Sequence, residues 1–377
     1  MPGFKDLGFD ENLYRGYVDN LIRYGVTAYP DFAQHYIELQ TRLPSAILPP
    51  TRFLYVFAAY AWHSVTGADA LTALHNVSSA FSMLLLVLAT GFAARMGGLR
   101  VAILVGALMA FAPTQIHMSQ HALIDGFFTF WATLCLWLLW ENLRKPDDWR
   151  WLTGFGVSLA LLVLAKENAM FVYIGLVGLV LANYWLRFGQ VTRLLLATMF
   201  VGPLLGVALL VNLCGSPMQA FRIYQLLVSK ASVLPYAIAT GDGPWYRYLV
   251  DLMIMSPIVL VLAIGGIFTL RRADKAGAYM LAFVSASYLL MCNVRYGMNL
   301  RYANIWDLPL RYLAVGCLSH VSELFGRRAA LALYVLTGLA CLHELRQYLI
   351  FFVQDDLYEL ITAGLLETIK ILKQLPR

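Results

Sequence analysis

Apolar runs of about 18–20 residues recur along the chain from residue 72 to residue 346, separated by short segments rich in Arg, Lys, Gly and Pro. Runs of that length cross a bilayer as helices. They predict spans near 72–94, 100–118, 123–142, 150–165, 169–186, 193–214, 247–269, 277–293, 303–321 and 328–346. The pattern before them is different. Residues 1–50 mix aromatic, apolar and charged positions, with no run long enough to cross. Within them Tyr14, Val18 and Leu21 follow Asp10-Glu11 at helical spacing, and Gly25 predicts the stop of that helix. Phe53–Val65, behind Pro49-Pro50, holds roughly 13 residues; it predicts a helix lying in the interface rather than a span. Near the end, Leu365, Leu366, Ile369 and Leu372 form one stripe of an amphipathic helix suited to the membrane surface. The expectation is an all-α, polytopic membrane protein with about ten transmembrane helices. Residues 1–71 are a first outer loop with juxtamembrane helices, 72–346 the transmembrane domain and 347–377 an amphipathic tail.

Composition agrees. The chain is 60% hydrophobic and 13% charged, which excludes a soluble protein. Its formal charge of +6 does not point to nucleic acid, because the basic residues sit in short loops as a topology signal. Arg95 and Arg100, Arg144 to Arg150, Arg187 and Arg193, Arg271 to Lys275, and Arg327 with Arg328 all fall on one side, which the positive-inside rule makes cytoplasmic. The other side receives Asp10, Glu11, Asp125, Lys166, Glu167, Arg295 and Arg301. Taken singly, such charges at a membrane edge also serve as interfacial anchors. The five cysteines read as small buried hydrophobes, with no disulfide framework or metal-ligand spacing.

The candidate chemistry starts at Asp10-Glu11. A carboxylate outside the bilayer accepts a proton from a substrate hydroxyl; the competing reading is that Asp10 N-caps a helix, with Glu11 in its first turn. Asp125 carries the same alternative, a helix cap at the start of a span. His117 and His121 stand four apart, a spacing that puts two metal ligands on one helix face, but they flank a turn. Trp245 and Tyr246 are candidates for stacking on a sugar ring.

Several motifs occur in the order seen in a known group. They are Asp10-Glu11; Pro49-Pro50 followed by an aromatic helix to Gly67; A-A-R-M-G-G-L-R; A-P-T-Q-I-H-M-S-Q-H-A-L-I-D-G-F-F with Asp125; L-L-V-L-A-K-E-N with Lys166; G-P-W-Y-R-Y-L; and N-L-R-Y-A-N-I-W-D-L-P with Arg301. Over residues 9–320 the chain resembles the GT-C membrane glycosyltransferases, in the branch of the protein O-mannosyltransferases and aminoarabinose–lipid A transferases (glycosyltransferase family 39-like). It departs from that pattern at His121-Ala122-Leu123, where the family often has Glu-Ala-Arg before the outer Asp. It also departs at His75, where many members have Arg.

The resemblance implies a GT-C-like fold and a hexosyl- or pentosyltransferase. The enzyme moves a sugar from a polyprenyl-phosphate donor to a protein, lipid or glycan acceptor outside the cytoplasm, with inversion. Asp10 is the implied general base, Glu11 and Asp125 are its companions, and Lys166, Arg301 and Arg295 are cations for the donor phosphate. No cofactor is required, though Glu11 and Asp125 are hard ligands that suit a divalent cation such as Mg, Ca or Mn. The setting is a multi-pass protein of a bacterial inner membrane or its equivalent, with the site on the extracytoplasmic side. A transporter or flippase of lipid-linked sugars is the alternative. Against it stand charges at one membrane edge and no evident repeat. The family pattern also places a transmembrane helix before its Asp-Glu loop, so about 20 further apolar residues are expected upstream of Met1.

Overall fold

A computed structural model describes residues 8–44, 46–231, 233, 243–294 and 298–369. Among them no strand occurs. In chain order the α-helices are α1 (Phe9–Tyr24), α2 (Tyr29–Arg42), α3 (Phe53–Thr66), α4 (Ala70–Ala110), α5 (Pro113–Gln120), α6 (Ile124–Arg144), α7 (Trp149–Ala165), α8 (Ala169–Leu186), α9 (Arg193–Leu213), α10 (Pro217–Ala231), α11 (Arg247–Met255), α12 (Pro257–Thr269), α13 (Lys275–Met291), α14 (Asp307–Glu323), α15 (Ala329–Tyr348) and α16 (Thr362–Thr368).

The local rules hold at many boundaries. α1 buries Tyr14, Val18 and Leu21, the three positions its spacing predicts. It ends at Gly25, whose φ of 76° is open to a residue without Cβ and whose N–H closes on the Leu21 carbonyl. α3 ends in the same way at Gly67, φ 72°. α4 joins two expected spans, but Gly98 at φ 81° breaks the helix between them. Proline divides two expected spans, the second of the pair joined in α4 and one later run. The run 100–118 stops at Ala110 and restarts at Pro113, and the run 247–269 stops at Met255 and restarts at Pro257. Proline has no N–H for the preceding turn, and its ring disfavours helical backbone at the residue before it. Among the described residues, Ala70–Ala110, Ala169–Leu186, Arg193–Leu213 and Gly326–Gln354 are long and apolar enough to cross a membrane. Trp149–Ala165, Pro257–Thr269 and Lys275–Met291 are shorter apolar helices.

The chain forms two compact units that interleave along the sequence. The first comprises Met1–Ser82, Met118–Met170 and Val191–Asp242. Here α9 packs on α7 through Leu195, Met199, Gly202, Gly206 and Leu210, while Phe200, Leu204 and Leu205 remain exposed. A Cβ on Gly206 would stand 2.6 Å from the Ala160 carbonyl oxygen, so only glycine admits this approach. In lipid, tails are as apolar as the helices, and close packing at small residues replaces hydrophobic burial as the cohesive force. Outside these helices α2 packs on α10 around Ala33, Tyr36, Ala220 and Ile223, and the Lys230 ammonium donates to the Leu43 carbonyl at 2.6 Å.

The second unit comprises Met83–His117, Phe171–Gln190 and Gly243–Arg377. Its centre is α14, packed by α12, α13 and α15. Gly266 lies directly against the Leu313 carbonyl. α15 continues as a π-helix over Leu349–Gln354, burying Phe351 and Phe352, and Leu365 of α16 is fully buried where α16 packs on α11. Of the aliphatic stripe, Leu365 is buried in this packing, Leu366 is half-buried and Ile369 is exposed, while Leu372 lies outside the described residues.

Candidate active site

In the first unit the two adjacent acids have different environments. Asp10 does not N-cap α1, because the N-cap is Gly8 and Asp10 is the second helical residue; Glu11 stands in the first turn, as that reading expected. Glu11, at the third helical position, reaches back and accepts from the Gly8 N–H at 2.8 Å, which is half of a capping box. Its other oxygen accepts from the Ala122 N–H at 2.7 Å and from His121 Nδ1 at 3.3 Å. Glu11 is 3% exposed. Burial alone would raise its carboxyl, but the His121 side chain and the Ala122 and Gly8 amides outweigh this and hold it below the usual carboxylate range. Asp10, beside it, is half-buried.

The turn that Glu11 grips is tied from α4 as well. Ser79 donates to the Ser119 carbonyl at 2.8 Å, His75 Nδ1 to the Gln120 carbonyl at 3.1 Å, and Ser78 to the Leu123 carbonyl at 3.1 Å. Three carbonyls and one amide of a buried turn are thereby satisfied without water. His75 Nε2 stands 3.8 Å from Glu11. The two departures from the family motifs, at His75 and at His121, thus meet at one carboxylate. In the second unit His117 stacks on Phe352 at 4.1 Å between ring centroids, and its Nε2 meets the Tyr358 carbonyl at 3.2 Å.

Asp125 begins α6 but does not cap it, since the N-cap is Leu123. Its carboxylate accepts from Lys166 Nζ at 2.6 Å, with the side chains 4% and 2% exposed. Lys166 closes the C-terminus of α7. Burial pushes its ammonium below the ordinary lysine range, and Asp125 offsets only part of that. The next residue, Glu167, is gripped by both arms of the Arg52 guanidinium, and Arg52 Nη1 donates to the Tyr14 hydroxyl at 2.6 Å. Arg52, opposing the effect of burial, keeps Glu167 below the usual carboxylate range. Tyr14 is fully buried, which raises its phenol well above the usual range. The charges of Arg52, Asp10 and Asp125 all act on it. In this unit Glu11, Asp125, Lys166 and Glu167, all on the side the sequence assigned to them, are held by Arg52, Tyr14, His75 and His121 or by one another, and the charge of Asp10 acts on Tyr14. Among the described residues no group of three His, Cys, Asp or Glu is placed to hold a metal ion. Glu11 is held by the Gly8 and Ala122 amides with His121, and Asp125 by the Lys166 ammonium.

Arg301 belongs to the second unit. It is 8% exposed, with Nη2 3.5 Å from Glu359, which also accepts from Asn299 at 3.1 Å. Arg295 lies outside the described residues. The same unit holds a charge cluster that the sequence reading did not single out. Arg311, 1% exposed, donates to Asp307 at 2.7 Å, to Glu344 at 2.8 Å and to the Leu108 carbonyl at 3.0 Å. Thr114 and Gln115 donate to Asp307 at 2.9 and 2.6 Å, and Ser256 to Glu344 at 2.9 Å. The signal was present: Asp307 and Arg311 stand four apart inside an apolar run, and Glu344 inside the next.

No curated protein sequence matches the chain. Solved structures match it in fold. ArnT from Cupriavidus metallidurans in the apo state superposes with a TM-score of 0.53 at 15% identity, covering 85% of this chain and 57% of that one. The same protein bound to undecaprenyl phosphate gives a TM-score of 0.49 at 12% identity, covering 72% and 52%. The chain therefore spans little more than half the length of that protein. The likeness shows the fold, a GT-C-like helical membrane architecture. The sequence profile of dolichyl-phosphate-mannose-protein mannosyltransferases matches residues 17–215, which carry Arg52, His121, Asp125, Lys166 and Glu167. With that match over more than half of an integral membrane chain of this fold, the protein belongs to the dolichyl-phosphate-mannose-protein mannosyltransferase family of GT-C glycosyltransferases.

Proposed function

We propose that the chain is an inverting glycosyltransferase that moves a sugar from a polyprenyl-phosphate donor to a hydroxyl-bearing acceptor on the extracytoplasmic side. The observation that carries this is the division between the two adjacent acids. Glu11 holds the 119–123 turn, whereas Asp10 is half-buried in the first turn of α1, where its charge and that of Asp125, the partner of Lys166, both act on Tyr14. In this reading the acceptor oxygen attacks the anomeric carbon and its proton passes to the Asp10 carboxylate. The bond from that carbon to the phosphate oxygen breaks, and its electron pair leaves with the lipid phosphate. A lipid phosphate is a good leaving group without a strong general acid; what it needs is positive charge where its own charge builds. Lys166 supplies that charge by exchanging Asp125 for the phosphate. The family's name, which contains a dolichyl-phosphate sugar, supports the donor class. The distribution of Arg and Lys among the loops supports the side.

The test is Asp10→Asn in purified protein, reading release of free lipid phosphate from a sugar–polyprenyl phosphate in the presence of acceptor. We expect a loss of about 10²-fold or more, with thermal stability unchanged. Wild-type turnover in this variant removes Asp10 from the mechanism. Movement of the intact lipid-linked sugar across vesicles, without any release of lipid phosphate by the wild type, indicates a flippase instead.

A further inference from the structure

We infer that Arg52 is a positioning residue that sets the base-bearing helix against the turn carrying the donor cation. The inference rests on the roles proposed for Asp10 and Lys166. Arg52 sits at the N-cap of α3, immediately after Pro49-Pro50-Thr51, and it makes no cap bond of its own. Its buried guanidinium instead faces two ways. One edge, Nε and Nη2, grips both oxygens of Glu167. The remaining nitrogen, Nη1, donates to Tyr14 at 2.6 Å, and the guanidinium carbon lies 5.9 Å from the centre of the Tyr14 ring.

Each partner is one step from the proposed chemistry. Tyr14 lies one helical turn beyond Asp10 on α1, so the two share a face. Tyr14 is itself immobilised, 1% exposed and in edge contact with Tyr55 at 5.1 Å between ring centroids. Glu167 adjoins Lys166, whose ammonium holds Asp125. A single planar fork therefore joins α1 to the α7–α8 turn, and its rigidity sets the separation between them. Lysine cannot substitute, because an ammonium on a flexible stem offers no fixed angle between its donors. A guanidinium whose only task was to neutralise Glu167 would have no need of the bond to Tyr14.

Three variants separate positioning from charge compensation. Arg52→Lys keeps the charge and loses the fork. Tyr14→Phe removes only the hydroxyl. Arg52→Met combined with Glu167→Met removes both charges together, so the fold is not burdened with one unpaired buried ion. We expect kcat to fall by about 10–100-fold in Arg52→Lys and in the double variant, and by about tenfold in Tyr14→Phe. Donor KM should stay within about threefold in all three, and the double variant should melt close to the wild type. Recovery of wild-type kcat in the double variant would show that the pair is structural and overturn the inference. A rise in donor KM with kcat unchanged would also overturn it, making Arg52 a ligand of the phosphate. Asp10→Asn is run alongside. If that variant stays active, the base assignment itself fails; if it is inactive while the double variant turns over normally, only the role of Arg52 fails.

Discussion

Glu11→Gln tests the separation of the paired acids most directly. The glutamate gives one oxygen to the Gly8 N–H and the other to the Ala122 N–H and His121. Glutamine keeps one acceptor and turns an NH2 toward the other amide. One buried N–H then loses its partner, at about 1–3 kcal/mol, and the bond that survives is no longer charge-assisted, at about 1 kcal/mol more. The expected loss of stability is about 2–4 kcal/mol. Asp10→Asn, at a half-buried position, should cost well under that. Thermal unfolding in detergent, followed by tryptophan fluorescence, reads the difference, and transfer assayed below the melting range reads the consequence for Asp10. Release of the 119–123 turn shifts the start of α1, and a displacement of the order of 1 Å costs up to about 10²-fold in rate. The pH dependence has a definite sign. The folded state holds Glu11 below its unfolded value, so the stabilisation is fully present above the ordinary glutamate range and is lost as pH falls through the folded value. Glu11→Gln should remove that acid-sensitive portion. A variant that melts with the wild type, and transfers as fast, would refute the clamp.

At the Asp125–Lys166 pair, Lys166→Met and Asp125→Leu should each destabilise by about 3–5 kcal/mol, because each leaves the other charge buried. The double variant should regain most of the melting temperature and none of the transfer; recovered transfer would place the pair outside the mechanism. For the second unit, Arg301→Ala should raise donor KM and Glu359→Gln should lower it, since Glu359 is the carboxylate at the guanidinium. Binding of undecaprenyl phosphate alone, measured by fluorescence quenching, checks this without turnover. Equal affinity in both variants would remove Arg301 from donor binding.

What the sequence by itself determined follows from short-range chemistry. Runs of apolar residues long enough to cross a bilayer, basic loops on one side, and Tyr14, Val18 and Leu21 ahead of Gly25 are all consequences of covalent geometry and of the solvent each residue prefers. The motif order that led to the family is legible in the same way. Tertiary structure decided how the charges are shared. Two adjacent carboxylates look alike along the chain, yet only one meets the Ala122 amide 111 residues away. Arg52 reads as an interfacial cation until the fold brings Glu167 to it from 115 residues along the chain. The Arg311 cluster likewise depends on Thr114, Asp307 and Glu344 from three separate helices. A side chain's solvation preference is written in its own residue type, but the partner that offsets a buried charge is supplied by packing, and neither periodicity nor local spacing encodes it.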